Sequence, residues 1–148
     1  SGVLTNLIDS FKTAKRDDYN LEVYSHWDGI EKCLDESLDS TDENSTIYGI
    51  GIRFSNLGFI RRFLKRIDDK GIILKVIETE KPIIDFRSMN SQVRYLDTKE
   101  RVGIAVFPCS VVIYHGGDDT QFCVKISSFD VAGMFRMVHS VFWDLAKG

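Results

Sequence analysis

The chain has 148 residues, of which 43% are hydrophobic and 28% are charged, a composition typical of one ordinary globular domain. Nineteen Lys and Arg against 22 Asp and Glu give a net charge of −3, which disfavours nucleic acid as a partner of the whole surface. No apolar stretch reaches the ~20 residues that a membrane span requires, so we expect no membrane contact.

The cysteines indicate the redox compartment, and the first two residues indicate where the domain begins. Three scattered cysteines without a Cys-x-x-Cys pair predict free thiols in a reducing cytoplasm. Ser1-Gly2 is typical of the remnant of a cleaved tag, so we interpret residues 3–148 as one domain.

The amino-terminal part predicts two helices and an edge strand. A helix over residues 3–15 is predicted by apolar side chains at helical spacing, namely Leu4, Leu7, Ile8 and Phe11. Residues 21–24 alternate as an edge strand does, and residues 27–38 predict a second helix. The acidic and polar residues 39–45 predict an exposed loop.

The clearest pattern is one parallel β-α-β unit over residues 46–79. Residues 46–52 form a short β-branched run, as in a buried strand. Ser55 is the predicted N-cap of the following helix. The predicted inward face of that helix is Leu57, Ile60, Phe63, Leu64 and Ile67. Lys70-Gly71 predicts the helix end, and residues 72–77 resume as a parallel neighbouring strand.

The remaining sequence predicts a short helix, four strands and a final helix. Pro82 starts the short helix over residues 83–89. The predicted strands are residues 93–96, 102–107, 110–114 and 122–126, the last three joined by short turns as an antiparallel meander. In the final helix, Asp130 is the predicted N-cap, and Phe129 and Met134 are the predicted hydrophobic staple. Its predicted buried face is Val131, Met134, Phe135, Val138, Phe142 and Leu145.

This order of elements predicts an α/β fold with a mixed sheet. A parallel β-α-β core is followed by antiparallel strands, and the helices pack over the sheet.

The motifs that could carry chemistry are weak. Gly49-x-Gly51 lies inside a strand rather than at a strand-to-helix turn, so dinucleotide binding is disfavoured. His26, His115 and His139 occur in no metal-binding frame, and His139 is expected to pack in the core. We therefore predict no cofactor and no metal site.

A basic cluster lies on the first crossover helix. It consists of Arg61, Arg62, Lys65 and Arg66. These cations could contact phosphates, but a solvated helix face balanced by Asp68 and Asp69 is the favoured interpretation.

A ligand site is predicted at the carboxyl edge of the parallel strands. Arg53 and Glu78 both lie just past the carboxyl ends of these strands, and Arg87 comes on the next segment. Small ligands collect at this edge in open α/β sheets. Two guanidinium groups beside a carboxylate suit a small polar or anionic effector. An ordinary surface ion pair is the alternative for each of these residues.

Several segments resemble a phospholipase D-like domain, and more narrowly the effector domain of TrmB-type archaeal transcription regulators. The segments are residues 69–77, 92–96, 102–107, 110–114 and 134–146. The resemblance covers most of residues 20–148 and implies the fold of that family.

The resemblance also implies what this chain lacks. Active phospholipase D-like enzymes carry a His-x-Lys with a downstream Asp, whereas this sequence has Arg101-Val102-Gly103 there and Pro108 in place of the aspartate. A covalent phosphohistidine needs that imidazole, so the resemblance implies a scaffold that is not an enzyme. In the TrmB-type regulators this domain follows a winged helix-turn-helix, binds effectors and forms dimers. DNA contact is then expected only through a part before residue 3.

Three function classes follow from the sequence. The leading hypothesis is a non-catalytic ligand-sensing and dimerisation domain of a transcription regulator, acting as a homodimer. The second is a protein-interaction or oligomerisation module of a signalling protein. The third is a phosphodiesterase-like hydrolase.

Overall fold

A computed structural model of the chain describes residues 19–52, 56–79, 90–97, 102–117 and 119–147. The helices predicted over residues 3–15 and 83–89 lie outside the described residues, and so do Ser55, Arg53 and Arg87.

The described part contains seven strands and three helices. In chain order they are β1 Asn20–Ser25, α1 His26–Asp39, β2 Thr46–Ile50, α2 Leu57–Asp69, β3 Ile73–Glu78, β4 Ser91–Tyr95, β5 Val102–Phe107, β6 Ser110–Gly116, β7 Gln121–Ser127 and α3 Phe129–Leu145. Each predicted element within the described residues is present, with bounds shifted by a few residues. No helix in this part of the chain is long and apolar enough to cross a membrane.

The strands form one mixed sheet in the order β1-β7-β6-β5-β2-β3-β4. β2 pairs with β3 in parallel, and β5, β6 and β7 pair as an antiparallel meander. Both predictions are therefore confirmed. The sheet is extended at each edge, because β4 joins β3 in parallel and β1 joins β7 in antiparallel fashion.

The crossover helix α2 begins one residue later than the sequence predicted. Asn56 is the N-cap, since its side-chain oxygen accepts a 3.1 Å hydrogen bond from the backbone N–H of Phe59. This shift exposes Leu57 and buries Phe59. At the other end Lys70 is the C-cap and Gly71 takes a φ of +66°, as the predicted stop requires.

Helices cover the two faces of the sheet unequally. α1 and α2 pack on one face and share a continuous apolar core with it, which includes Ile30, Leu34, Phe59 and Ile67. α3 packs on the other face over a smaller core around Val106, Val111 and Ala132. Among the described helices, two thus cover one face and one crosses the other.

The prediction for α3 was wrong in its cap and its staple, and its buried face was confirmed only in part, since Val131 and Phe135 pack against the core beneath the helix. Ser128 caps the helix, since its hydroxyl accepts a 3.2 Å bond from the Val131 N–H. Phe129 and Met134 are both exposed and form no staple. The fully buried positions are Ala132 and His139. Phe135 and Val138 are only half-buried, whereas Phe142 and Leu145 are exposed.

The side of α3 that points away from the sheet is apolar. We call Met134, Met137, Val141 and Leu145 the outer stripe. They recur every three or four residues, and each is between 56% and 66% exposed. Because both sides of α3 are apolar, its hydrophobic spacing could not identify the inward side.

Candidate functional site

The carboxyl ends of β2 and β3 form a tightly packed edge. Glu78 ends β3 and Thr79 follows it, and both side chains are buried. Gly51, just past β2, takes a φ of +62°, and its N–H donates a 2.9 Å bond to the Ile77 carbonyl. The Glu78 carbonyl in turn accepts a 2.9 Å bond from the Leu96 N–H. Two buried polar side chains therefore lie where the parallel strands end.

Of the predicted ligand site, the structure places one residue. Glu78 lies at the expected edge, and it is buried there rather than at the surface. Arg53 and Arg87 are outside the described residues, so the grouping of all three stays a prediction. Arg94 on the neighbouring strand β4 contacts α3, as described below.

Gly103 and Tyr114 form a second feature of this edge. They are direct partners across the β5–β6 ladder, and the buried Tyr114 ring covers Gly103. A Cβ on residue 103 would lie 2.3 Å from Cζ and 2.6 Å from the hydroxyl oxygen of Tyr114. No side chain fits there unless the ring moves. Residue 103 is the position at which the resemblance places the lysine of His-x-Lys. No local sequence pattern points to Tyr114 as its neighbour.

Near the middle of the other face, His139 is enclosed by aromatic rings. Its ring centroid lies 4.9 Å from that of Tyr48 and 5.6 Å from that of Trp143. The side chain is fully buried, which confirms the predicted core position, and Nε2 has no hydrogen-bond partner within the described chain. Burial lowers the pKa of His139, and the Lys75 ammonium adds to this, although main-chain groups of Lys75 and Gly49 oppose it. His139 is therefore held in its neutral form.

The carboxyl end of α3 is fixed to β3 and β4 by cations. The Arg94 guanidinium lies 4.5 Å from the Trp143 ring centroid, and its Nη1 donates a 2.8 Å bond to the Trp143 carbonyl. The Lys75 ammonium lies 5.8 Å from the same ring. Lys147 then exchanges backbone hydrogen bonds with Tyr95. These contacts give Arg94 a structural role, because a cation suits the exposed carbonyls of a helix end.

The basic side of α2 is engaged in ion pairs. Arg66 donates from Nη1 to Asp35 at 2.9 Å and from Nη2 to Asp39, both on α1. Lys65 pairs with Asp69 at 2.9 Å. The solvated, paired face was predicted, but the partners of Arg66 on α1 were not, since they lie about thirty residues away in the chain.

The cysteines differ in their surroundings. Cys33 on α1 and Cys123 on β7 are fully buried, whereas Cys109 is exposed. The neighbouring Cys123 thiol and burial together raise the pKa of Cys33, which disfavours its reactive thiolate. Within the described ranges no three His, Cys, Asp or Glu side chains converge as metal ligands would.

The apolar interior of the α1–α2 side contains a small cavity. Its volume is about 20 Å³, close to the space of a single water molecule. Apolar side chains from both helices and from the sheet line it, Leu34, Ile60 and Phe107 among them. This cavity is a packing defect and too small for an organic ligand.

Comparison with known proteins establishes the fold. No family model matches the chain, and no curated protein matches its sequence. Among solved structures, NucT from Helicobacter pylori has a TM-score of 0.69 at 12% identity and covers 88% of this chain and 99% of its own. Nuc from Salmonella typhimurium, a phospholipase D family member, has a TM-score of 0.68 at 10% identity, with 87% and 97% covered.

A third similar structure is that of TrmBL2, an archaeal chromatin protein. Its TM-score is 0.65 at 16% identity, and the match covers 99% of this chain. This chain spans 60% of the length of TrmBL2. Together the three comparisons show that the chain has a phospholipase D-like α/β fold.

Replacing Gly103 by Ala should destabilise the protein by about 1–3 kcal/mol, because the new methyl group must displace a buried ring. Gly133 within α3 provides a matched control, since a Cβ there would lie 3.5 Å from the Arg136 Nη2, an ordinary contact. Gly133→Ala should stabilise by about 0.5–1 kcal/mol, since alanine favours the helix. Urea denaturation of both variants measures the two effects. Equal midpoints for Gly103→Ala and wild type would show that Tyr114 moves without cost.

Stability should fall as the pH drops below about 6.5, the usual histidine pKa in an unfolded chain. The unfolded state then binds a proton that the folded state, with the lowered pKa of His139, does not bind. The slope attributable to this residue is at most ~1.4 kcal/mol per pH unit. Urea denaturation at pH 7.5, 6.0 and 5.0 tests it, with His139→Gln as the variant that should show a shallower slope. Parallel pH profiles for the two proteins would exclude His139 as the cause.

Proposed function

We propose that this chain is a non-catalytic, ligand-sensing and dimerisation domain of a transcription regulator that acts in the cytoplasm. The fold shared with TrmBL2, a chromatin protein with a novel mode of DNA binding, supports the regulatory part of this proposal. The net charge of −3 does not favour DNA binding by the domain itself. DNA contact is therefore assigned to a part of the parent protein outside this chain.

The observation that carries the non-catalytic assignment is the packing of Tyr114 against Gly103. A catalytic lysine could not occupy residue 103 with the ring in that place. None of the three histidines in the sequence is followed by a lysine two positions later, so the nucleophile and its partner are both missing. A hydrolase is the alternative function, because the structurally similar protein Nuc is a phospholipase D family member. No contact in the described residues favours this alternative.

The effector is proposed to bind at the carboxyl edge of β2 and β3. Glu78 and Thr79 supply buried polar side chains there, and Arg53 and Arg87 are proposed to supply the cations. Guanidinium groups pair with carboxylates or phosphates in a bidentate manner. The proposed effector is accordingly a small polar or anionic molecule, such as an organic acid, a nucleotide or a sugar phosphate.

The test is a thermal-shift screen of sugars, nucleotides and organic acids against wild type and Arg53→Ala. A true effector at a hundredfold excess over its Kd stabilises the wild type by about 2.7 kcal/mol. Arg53→Ala should lose most of that shift while its own melting temperature stays near that of wild type. Lys65→Ala is the matched control, because it removes a cation from the exposed side of α2.

Two outcomes would contradict the effector site. A compound that stabilises wild type and Arg53→Ala equally binds elsewhere. Failure of every compound would favour the second candidate, a protein-interaction module, for which the outer stripe of α3 is the supporting observation.

The dimer is proposed to form through the outer stripe. Four large apolar side chains on one helix, each more than half exposed, are rarely left in water together. We propose that α3 pairs antiparallel with α3 of a second copy about a two-fold axis, so that the two outer stripes cover each other.

Val141→Asp should convert the dimer to a monomer, because it buries an unpaired charge at the centre of the stripe. We expect the dimer to weaken about a hundredfold or more, as each 1.4 kcal/mol is a factor of ten. Ser140→Asp is the matched control, since residue 140 is exposed on the flank of the same helix and should not affect assembly. Sedimentation equilibrium measures all three proteins. A wild type that stays at its monomer mass of 16.9 kDa would disprove the proposed interface.

A further inference from the structure

The two halves of α3 are held on the sheet by different kinds of contact. The amino half rests on the small apolar core around Val106, Val111 and Ala132. Arg136 adds a 3.0 Å hydrogen bond from its Nη1 to the Pro108 carbonyl. The carboxyl half, residues 139–147, is held instead by aromatic and cationic contacts and by the backbone bonds to β4. A change of charge can therefore act on one half without the other.

His139 is the central contact of the carboxyl half. Its imidazole packs edge-on against the Tyr48 ring of β2 and stacks on the Trp143 ring, one helical turn later, at an interplanar angle of 23°. The side chain is 1% exposed, and Nε2 has no hydrogen-bond partner within the described chain. An unpartnered nitrogen of a neutral ring costs the energy of one missing hydrogen bond, whereas an unpaired buried charge costs much more.

The charged groups around His139 are cations. The Lys75 ammonium on β3 and the Arg94 guanidinium on β4 both contact the Trp143 ring on which His139 stacks. Within α3, Arg136 bonds to the Pro108 carbonyl, and Asp144 is exposed.

The strands β5, β6 and β7 present apolar side chains to α3, namely Ile104, Val106, Val111, Ile113, Val124 and Ile126. The titratable His115 shares this face of β6, but it stacks on Phe122 at the end of the strand. In the part of the chain that the structure describes, the charged side chain that acts on His139 is Lys75, and it repels a proton.

We propose that protonation of His139 releases the carboxyl half of α3 from the sheet, which makes this half an acid-sensitive switch. A docked imidazolium would be buried, unpaired and close to Lys75, whereas water solvates it once the half-helix has left the sheet. The apolar core and Arg136 keep the amino half in place, so the release is local. Val141 and Leu145 of the outer stripe move with the released half, although the inference requires neither the effector nor the dimer proposed above.

The direction of the pH dependence follows from the two states of His139. Burial lowers the pKa of His139 in the docked state, and it outweighs the main-chain groups of Lys75 and Gly49 that favour the proton. The released residue regains the ordinary value of about 6.5. The ratio of released to docked helix should therefore rise as the pH falls below about 6.5, by at most about tenfold per pH unit for one proton. The rise ends below the lowered pKa, where both states carry the proton.

The fluorescence of Trp143 reports the release directly. Trp27 is the other tryptophan of the chain, so the measurement uses a Trp27→Phe background. The emission of Trp143 should shift to longer wavelength below pH 6.5, because the half-buried ring becomes exposed to water. His139→Phe in the same background keeps an aromatic ring beside Tyr48 but cannot bind a proton, so its emission should stay constant over the same pH range.

His115→Gln is the matched control, because it removes a histidine that stacks on Phe122 rather than on α3, and it should keep the shift. A shift that persists in His139→Phe would overturn the proposal. Constant emission of the parent protein down to pH 4.5 would also overturn it.

Hydrogen exchange of the wild-type chain distinguishes local release from global unfolding and needs no variant. At pH 5.0 the amides of residues 139–145 should have protection factors at least about tenfold below those of Val111 and Val112 in β6, and this gap should narrow at pH 7.5. Equal protection of the two regions at pH 5.0 would show that α3 opens only when the whole domain unfolds. A gap of the same size at both pH values would show that the opening does not depend on a proton. Either result would disprove the switch.

Discussion

The pairing of β2 is the constraint on which the rest of the sheet depends. This strand of five residues pairs in parallel with β3 on one side and antiparallel with β5 on the other. Its parallel partner requires a crossover, which α2 supplies, and its antiparallel partner allows the meander to follow through short turns. Both halves of the mixed sheet therefore meet at β2. Gly49 within the strand and Gly51 just past it serve this packing, since a Cβ on Gly49 would lie 2.2 Å from the Ile52 Cδ1 and Gly51 takes a positive φ.

The unequal covering of the two faces separates the proposed functions in space. α1 and α2 seal one face, where the interior holds a continuous apolar core and ion pairs link the two helices. On the other face α3 is the single helix among the described residues, and apolar surface is exposed on its outer stripe and on β1. Macromolecular contacts are therefore proposed on the α3 side, while the effector is proposed at the edge where the parallel strands end.

Gly103 and Tyr114 support the proposal that this chain uses a fold shared with enzymes for a non-catalytic purpose. At the position that the resemblance assigns to a lysine, the chain has no side chain, and a buried aromatic ring fills the space. Phosphoryl transfer needs a positioned nucleophile, and the Tyr114 ring leaves no room for a side chain at residue 103.

The sequence by itself determined the elements that local patterns encode. Short β-branched runs, the helical spacing in α2 and the stop at Lys70-Gly71 were enough to predict the β-α-β unit, and the short turns predicted the meander. The burial of His139 followed from its place among aromatic side chains. Glu78 could be placed at the edge because the ends of parallel strands coincide. These features depend on residues that are close in sequence.

Only the tertiary structure decided the features that depend on distant pairing. The joining of β1 to β7, the partners of Arg66 on α1 and the ring of Tyr114 over Gly103 each bring together residues that no local pattern connects. The inward side of α3 was decided by the sheet beneath it, since a helix that is apolar on both sides can dock either way. The side of α3 that carries Ala132 and His139 faces the sheet, because His139 packs against Tyr48 and Arg94 donates a hydrogen bond to the Trp143 carbonyl. The outer stripe is therefore left exposed.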